Sequence, residues 1–75
     1  MNDHYKKRRF EPIEVIEEYG LGFNLGNVVK YVLREKDDVQ ADRLKAVWYL
    51  LREIGMSIDE VDSFVHGLGK RIAQK

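Results

Sequence analysis

The chain has 75 residues, no cysteine, and 13 basic against 13 acidic side chains. That length makes one domain, with no disulfide or thiolate metal site to support it. Balanced charge argues against nucleic acid as the partner, and no apolar run reaches the roughly 20 residues of a membrane span or the form of a signal peptide, so a cytoplasmic protein is expected. A chain this short buries only about 60% of the surface its unfolded form exposes. Its stability is therefore expected to come from close-packed helices, a bound ligand or self-association, and a homo-oligomer is expected on that ground.

In chain order, residues 1–10 are polar and read as an extended basic arm, densest at Lys6-Lys7-Arg8-Arg9. Pro12 suits the first turn of a helix, where its missing N–H costs nothing. The first helix is predicted over Pro12 to Tyr19, with Ile13, Ile16 and Tyr19 on one face and Gly20 as a left-handed stop. Leu21-Gly22-Phe23 reads as a turn, and the second helix is predicted to start near Asn24. Leu25, Val28, Val29, Val32 and Leu33 form its stripe at spacings of three and four. The valine-rich run also suits a strand, but the helical period and the four-residue spacing of Lys30 and Arg34 favour helix. Lys36-Asp37-Asp38 reads as a loop with either aspartate as the next N-cap.

The third helix is predicted over Val39 to Ile54, burying Leu44, Val47, Trp48, Leu51 and Ile54, with Gly55 as its stop. Ser57-Ile58-Asp59-Glu60 is a capping box, and Met56 and Val61 are spaced for its hydrophobic staple. The fourth stripe runs through Ile58, Val61, Phe64 or Val65, Leu68 and Ile72. Gly67 and Gly69 each weaken a helix by about 1 kcal/mol relative to alanine. Either this helix ends near His66, or the glycines permit close contact with a partner. The expected fold is all-α: a small bundle of three to four short helices, completed by homo-oligomerisation. One domain would span 1–75, with an arm at 1–10, a helical core at 11–54 and a C-terminal helix at 55–75.

Candidate chemistry gathers on the second and third helices. Lys30 and Arg34 are one turn apart and can meet a phosphate together. Asn27, one turn before Tyr31, has an amide able to read a base edge or sugar. Tyr31, Trp48 or Tyr49 can stack on a base, and Lys45 can add a cation from the third helix. The plainer reading makes the cations a solvated face and the aromatics core, Trp48 above all because of its stripe position. Lys6 to Arg9, beside Tyr5 and Phe10, suits a triphosphate tail or a solvated arm. His4 is a candidate acid or base near the terminus, and His66 reads as structural or exposed. No P-loop, Ser-His-Asp set or zinc site is present in the sequence.

His4-Tyr5-Lys6, Glu11-Pro12-Ile13-Glu14-Val15-Ile16-Glu17, Gly26-Asn27-Val28-Val29-Lys30-Tyr31 and Asp42 through Leu50 occur in an order that resembles a family of short helical domains. That family is found mostly in bacteriophages and is labelled as of unknown function or as phage nucleotide kinase. It looks distantly similar to the all-helical nucleotide pyrophosphohydrolases. The resemblance covers about Asp3 to Ile54 and implies His4, Tyr5, Lys6, Asn27, Lys30, Tyr31, Asp42 and Lys45 as nucleotide-binding positions. Arg34 and Tyr49 join them on the physical grounds above. Glu14-x-x-Glu17 and Glu35-x-x-Asp38 match the paired acidic motifs by which the pyrophosphohydrolases hold magnesium, so magnesium is the cofactor expected if there is catalysis. Those carboxylates also read as a helix cap and a solvated face.

Three departures from the family pattern stand out. Ala41 replaces a glutamate, Arg43-Leu44 replaces Leu-Lys, and Glu35-Lys36-Asp37-Asp38 replaces a glycine- and lysine-rich turn. The leading expectation is a phage or prophage nucleotide-binding protein with nucleoside monophosphate kinase-like activity. Enclosing two nucleotides would need a site between subunits. One alternative is a non-catalytic protein that sequesters a nucleotide against host defence. Another is a module that engages a host protein through Phe64, Leu68 and Ile72 of the fourth helix.

Overall fold

A computed structural model describes residues 10–34 and 38–74. Four helices follow in order: α1 Pro12–Glu18, α2 Phe23–Leu33, α3 Val39–Glu53 and α4 Ile58–Ala73. The fold is all-α, and there is no strand among the described residues. The valine-rich run 28–33 is helical, as its period requires.

Local chemistry sets each boundary. Pro12 opens α1, and the Glu14 side chain accepts the Glu11 N–H at 3.0 Å. Gly20 adopts φ +60°, which lets Leu21 N–H return to Ile16 O at 3.0 Å and closes the helix. Gly55, at φ +110°, ends α3 in the same way, with Met56 N–H returning to Leu51 O at 3.1 Å. Asp38 is the aspartate that caps α3, accepting Ala41 N–H at 2.9 Å. The capping box at α4 forms as spaced: Glu60 N–H donates to Ser57 Oγ at 3.2 Å, and Ser57 N–H to Glu60 Oε1 at 3.1 Å.

α4 does not end near His66. It runs through both glycines to Ala73. α4 passes α3 at Gly69, where an added Cβ would make an ordinary 3.6 Å contact with Leu44 Cδ1. At Gly26 of α2 an added Cβ would likewise meet Ile16 Cγ2 of α1 at 3.5 Å, so neither packing depends on the missing side chain.

The helices pack in chain order, α1 on α2, α2 on α3 and α3 on α4; among the described residues no other pair meets. The result is a flattened array of 37 × 28 × 15 Å. A single layer covers the flanks of each helix and leaves its two faces open. Among described hydrophobic residues only Val61 and Ala46 are buried. Several stripe positions are exposed for this reason: Ile13, Tyr19, Val32, Leu33, Ile54 and Ile58. Tyr19 and Ile54, the most exposed of these at 76% and 72%, are also the C-cap residues where the chain leaves its helix.

Two long polar side chains bind the layer. Arg43 Nη1 on α3 donates to the Val32 and Tyr31 carbonyls at 3.2 and 3.4 Å. It thereby places a cation on the negative end of α2. Trp48 Nε1 donates to Asp62 Oδ1 at 2.7 Å, fastening α3 to α4.

Candidate functional site

α3 lies between α2 and α4, and a groove opens along one side of it. The groove holds about 320 Å³ and is lined by Tyr31 of α2, Leu44, Lys45, Trp48 and Tyr49 of α3, and Val65 of α4. Lys45 and Tyr49 share this side because they are four residues apart on the helix. Tyr31 and Tyr49 lie nearly parallel, with centroids 6.0 Å apart and planes 12° apart. Trp48 and Phe23 meet Tyr49 edge to face at 5.1 and 5.8 Å.

Three cations converge on the Tyr31 ring. Lys30 Nζ, Lys45 Nζ and the Arg34 guanidinium carbon lie 4.9, 5.4 and 5.7 Å from its centroid. These are cation–π distances. Behind them is Asp42, 4% exposed and the one charged residue buried among those described. Its Oδ1 is 3.9 Å from both Arg34 Nη1 and Lys45 Nζ. Its Oδ2 is sealed from solvent and has no hydrogen-bond partner. At 3.9 Å the contacts are ion pairs rather than hydrogen bonds. Arg34 and Lys45 keep 32% and 53% of their side-chain exposure, so both remain available to an incoming anion.

The structure thus brings together Lys30, Tyr31, Arg34, Asp42, Lys45 and Tyr49. Asn27 lies apart from them. Its Nδ2 donates to Phe23 O at 2.9 Å, and it lines a separate groove of about 290 Å³ with Ile16, Phe23 and Lys30. His4, Tyr5, Lys6 and the run to Arg9 lie outside the described residues, as do Glu35 and Asp37. The magnesium candidates that are described have other tasks or none in common. Glu14 accepts the Glu11 N–H, Asp38 caps α3, and Glu17 is exposed. Among the described residues no group of three or more His, Cys, Asp or Glu side chains could hold a metal ion.

Trp48 corrects the expectation that it is core. It is half-buried, lines the groove and spends its indole N–H on Asp62. The apolar stripe places Trp48 between α3 and α4 but says nothing of the open flank left by a single layer. Phe23 and Asp62 are contributors the sequence reading missed, and no periodic signal marks either one. On α4, Phe64 is exposed, while Leu68 and Ile72 are half-buried, which divides the patch proposed there. No described helix is long and apolar enough to cross a membrane.

The model of the family DUF3310, described as proteins of unknown function, matches residues 1–51. No curated protein and no solved structure matches the chain.

Proposed function

The chain belongs to the DUF3310 family, proteins of unknown function, and from that premise we propose that it binds a nucleotide in the groove along α3. The observation that carries this reading is the convergence of Lys30, Arg34 and Lys45 on the Tyr31 ring beside Tyr49. Aromatic faces offer a base about 1–3 kcal/mol of stacking. Cations on two helices offer charge-assisted bonds to a phosphate next to it. Tyr31 and Tyr49 hold the base, Arg34 and Lys45 hold the phosphate with Lys30 at its edge, and Asp42 sets the net charge of the site. The setting we infer is a phage or prophage protein acting on a nucleotide of its bacterial host.

The size of the groove supports a single nucleotide as its occupant. About 320 Å³ is at the small end of ligand pockets, which run from about 300 to 1,000 Å³. The nucleoside monophosphate kinase reading keeps the same residues and adds a second nucleotide and magnesium.

Thermal shift against a nucleotide panel, with and without magnesium, tests both. A ligand at 100 times its Kd stabilises by about 2.7 kcal/mol, which raises Tm by roughly 10 °C or more in a chain this short. No shift with any nucleotide overturns the binding reading. A shift accompanied by conversion of a nucleoside monophosphate to its diphosphate, at the expense of a nucleoside triphosphate, establishes the kinase instead.

A further inference from the structure

α2 carries a row of side chains that joins the groove along α3 to a second one. At 100° per residue, Phe23, Asn27, Lys30 and Arg34 fall within about 60° of one another, spread over roughly 16 Å of helix. The α3 groove lies at the Arg34 end of this row, against Tyr31 and Lys45. At the other end is the separate groove of about 290 Å³, lined by Ile16, Leu21, Phe23, Asn27 and Lys30.

The two grooves share their walls. Phe23 lines the second groove and meets Tyr49, a wall of the first, edge to face at 5.8 Å. Lys30 also lines the second groove and stands 4.9 Å from the centroid of Tyr31, another wall of the first. On the helix row the separator is therefore a cation. Lys30 is exposed, and it makes no ion pair among the described residues.

The second groove has the chemistry of another base site. The Phe23 ring is 77% exposed, an open face on which a base can stack. Asn27 spends one N–H on Phe23 O, which leaves a second N–H donor and the Oδ1 acceptor for the edge of a base. Ile16 and Leu21 add apolar surface. Phe23 and Tyr31 are eight residues apart, roughly 12 Å along the helix. Bases resting on them are splayed apart rather than stacked on each other, and Lys30 stands between the two. Carboxylates bound the row in sequence. Glu35, Asp37 and Asp38 follow Arg34, and Glu17 and Glu18 precede Leu21. A long polyanion would meet them, whereas two nucleosides and their phosphates would not.

We propose that the ligand is a dinucleotide laid along α2 across both grooves, an inference that rests on the nucleotide reading of the α3 groove. Its first nucleotide keeps the base on Tyr31 and Tyr49 and the terminal phosphate on Arg34 and Lys45. Lys30 holds the phosphate that joins the two nucleosides. The second base stacks on Phe23 and presents its edge to Asn27.

Titration calorimetry on the full chain tests this with 5′-phosphorylated mono-, di- and trinucleotides of each base, in ribose and deoxyribose forms. At least one dinucleotide should bind about 10-fold or more tightly than its mononucleotide, the gain from one further stacked base. The matching trinucleotide should add nothing. Asn27→Ala, a substitution that favours helix, should lower dinucleotide affinity several-fold and leave mononucleotide affinity unchanged. If Asn27→Ala fails to fold, the comparison on the parent chain decides. Dinucleotides that bind no tighter than mononucleotides overturn the proposal and leave the α3 groove reading standing. Absence of binding by every probe overturns both. A further gain of about 10-fold with the trinucleotide overturns it in favour of a longer single strand. An Asn27→Ala variant that weakens both ligands equally, or neither, also overturns it, since the second base then lies elsewhere.

Discussion

On one side of α3, Asp42, Lys45 and Tyr49 meet Arg34 and Tyr31 from α2, and Trp48 reaches α4 through Asp62. On the opposite side, Val39, Leu50 and Ile54 are exposed. Both sides are open, yet their composition differs. The groove side is lined with cations and aromatic rings around a buried carboxylate. The stripe side is aliphatic, with a single arginine whose head is occupied. One helix of 15 residues therefore presents a charged, aromatic side and an aliphatic side. The lesson is that exposure alone does not distinguish a binding site from an unfinished core, whereas the chemistry of what is exposed does.

The largest effect that separates the two sides comes from removing the cations. Arg34→Ala with Lys45→Ala takes away two charge-assisted contacts, each worth about 1.5–3 kcal/mol. Nucleotide affinity should fall by roughly 100-fold or more in titration calorimetry. A double variant that binds as well as the parent would move the ligand out of this groove.

Trp48→Phe should come next. It keeps the ring edge against Tyr49 but deletes the hydrogen bond to Asp62 Oδ1. A cost of about 1 kcal/mol is expected, because the exposed Asp62 regains water. In a domain of this size that lowers Tm by roughly 4–8 °C. A loss of Tm with helix content retained would show that α4 is held to the layer through the groove wall. An unchanged Tm would mean that Gly69 against Leu44 suffices.

Much of this layout was legible in the sequence, and the reason is local chemistry. Pro12, Gly20, Asp38, Gly55 and the Ser57–Glu60 box act over three to five residues, so the helix boundaries follow from spacing alone. Lys30 and Arg34 are one turn apart, and α2 against α3 brings Lys45 to them. Asn27 illustrates the limit. Its spacing to Tyr31 is right, but its amide turns back to its own helix at the Phe23 carbonyl. Trp48 and Ile54 illustrate another. A stripe predicts which side of a helix is apolar, and only the number of packed layers decides whether that side is covered.

Asp42 offers a smaller, directional effect within the groove. Its carboxylate lies close behind two cations, and a phosphate bound to them would stand within roughly 7 Å of it. Repulsion of about 2.4 kcal/mol per unit charge at an effective dielectric near 20 is then partly screened by salt. Its loss should not expose an unpaired buried charge, since Arg34 and Lys45 both reach solvent. Asp42→Asn should therefore keep the fold and tighten phosphate-bearing ligands a few-fold. Calorimetry with the nucleotide and with inorganic phosphate reads this directly. Weaker binding would instead mean that Asp42 itself contacts the ligand.

The smallest effect belongs to the start of α4, away from both surfaces, where it serves as a control on the comparison. The Ser57 backbone N–H, and then its hydroxyl, hold the Glu60 carboxyl below its usual 4.5. A depressed carboxylate stabilises the fold when ionised, above its ordinary range. That contribution is lost as pH falls through the depressed value, because the proton must then be taken up in both states. Glu60→Gln keeps an acceptor for the Ser57 N–H and removes only the charge. Its Tm should lie slightly below the parent's at neutral pH, and the gap should close as pH drops below 4.5. Nucleotide affinity should stay at the parent value. A gap that persists unchanged through the acid range would assign the cap's contribution to geometry rather than charge.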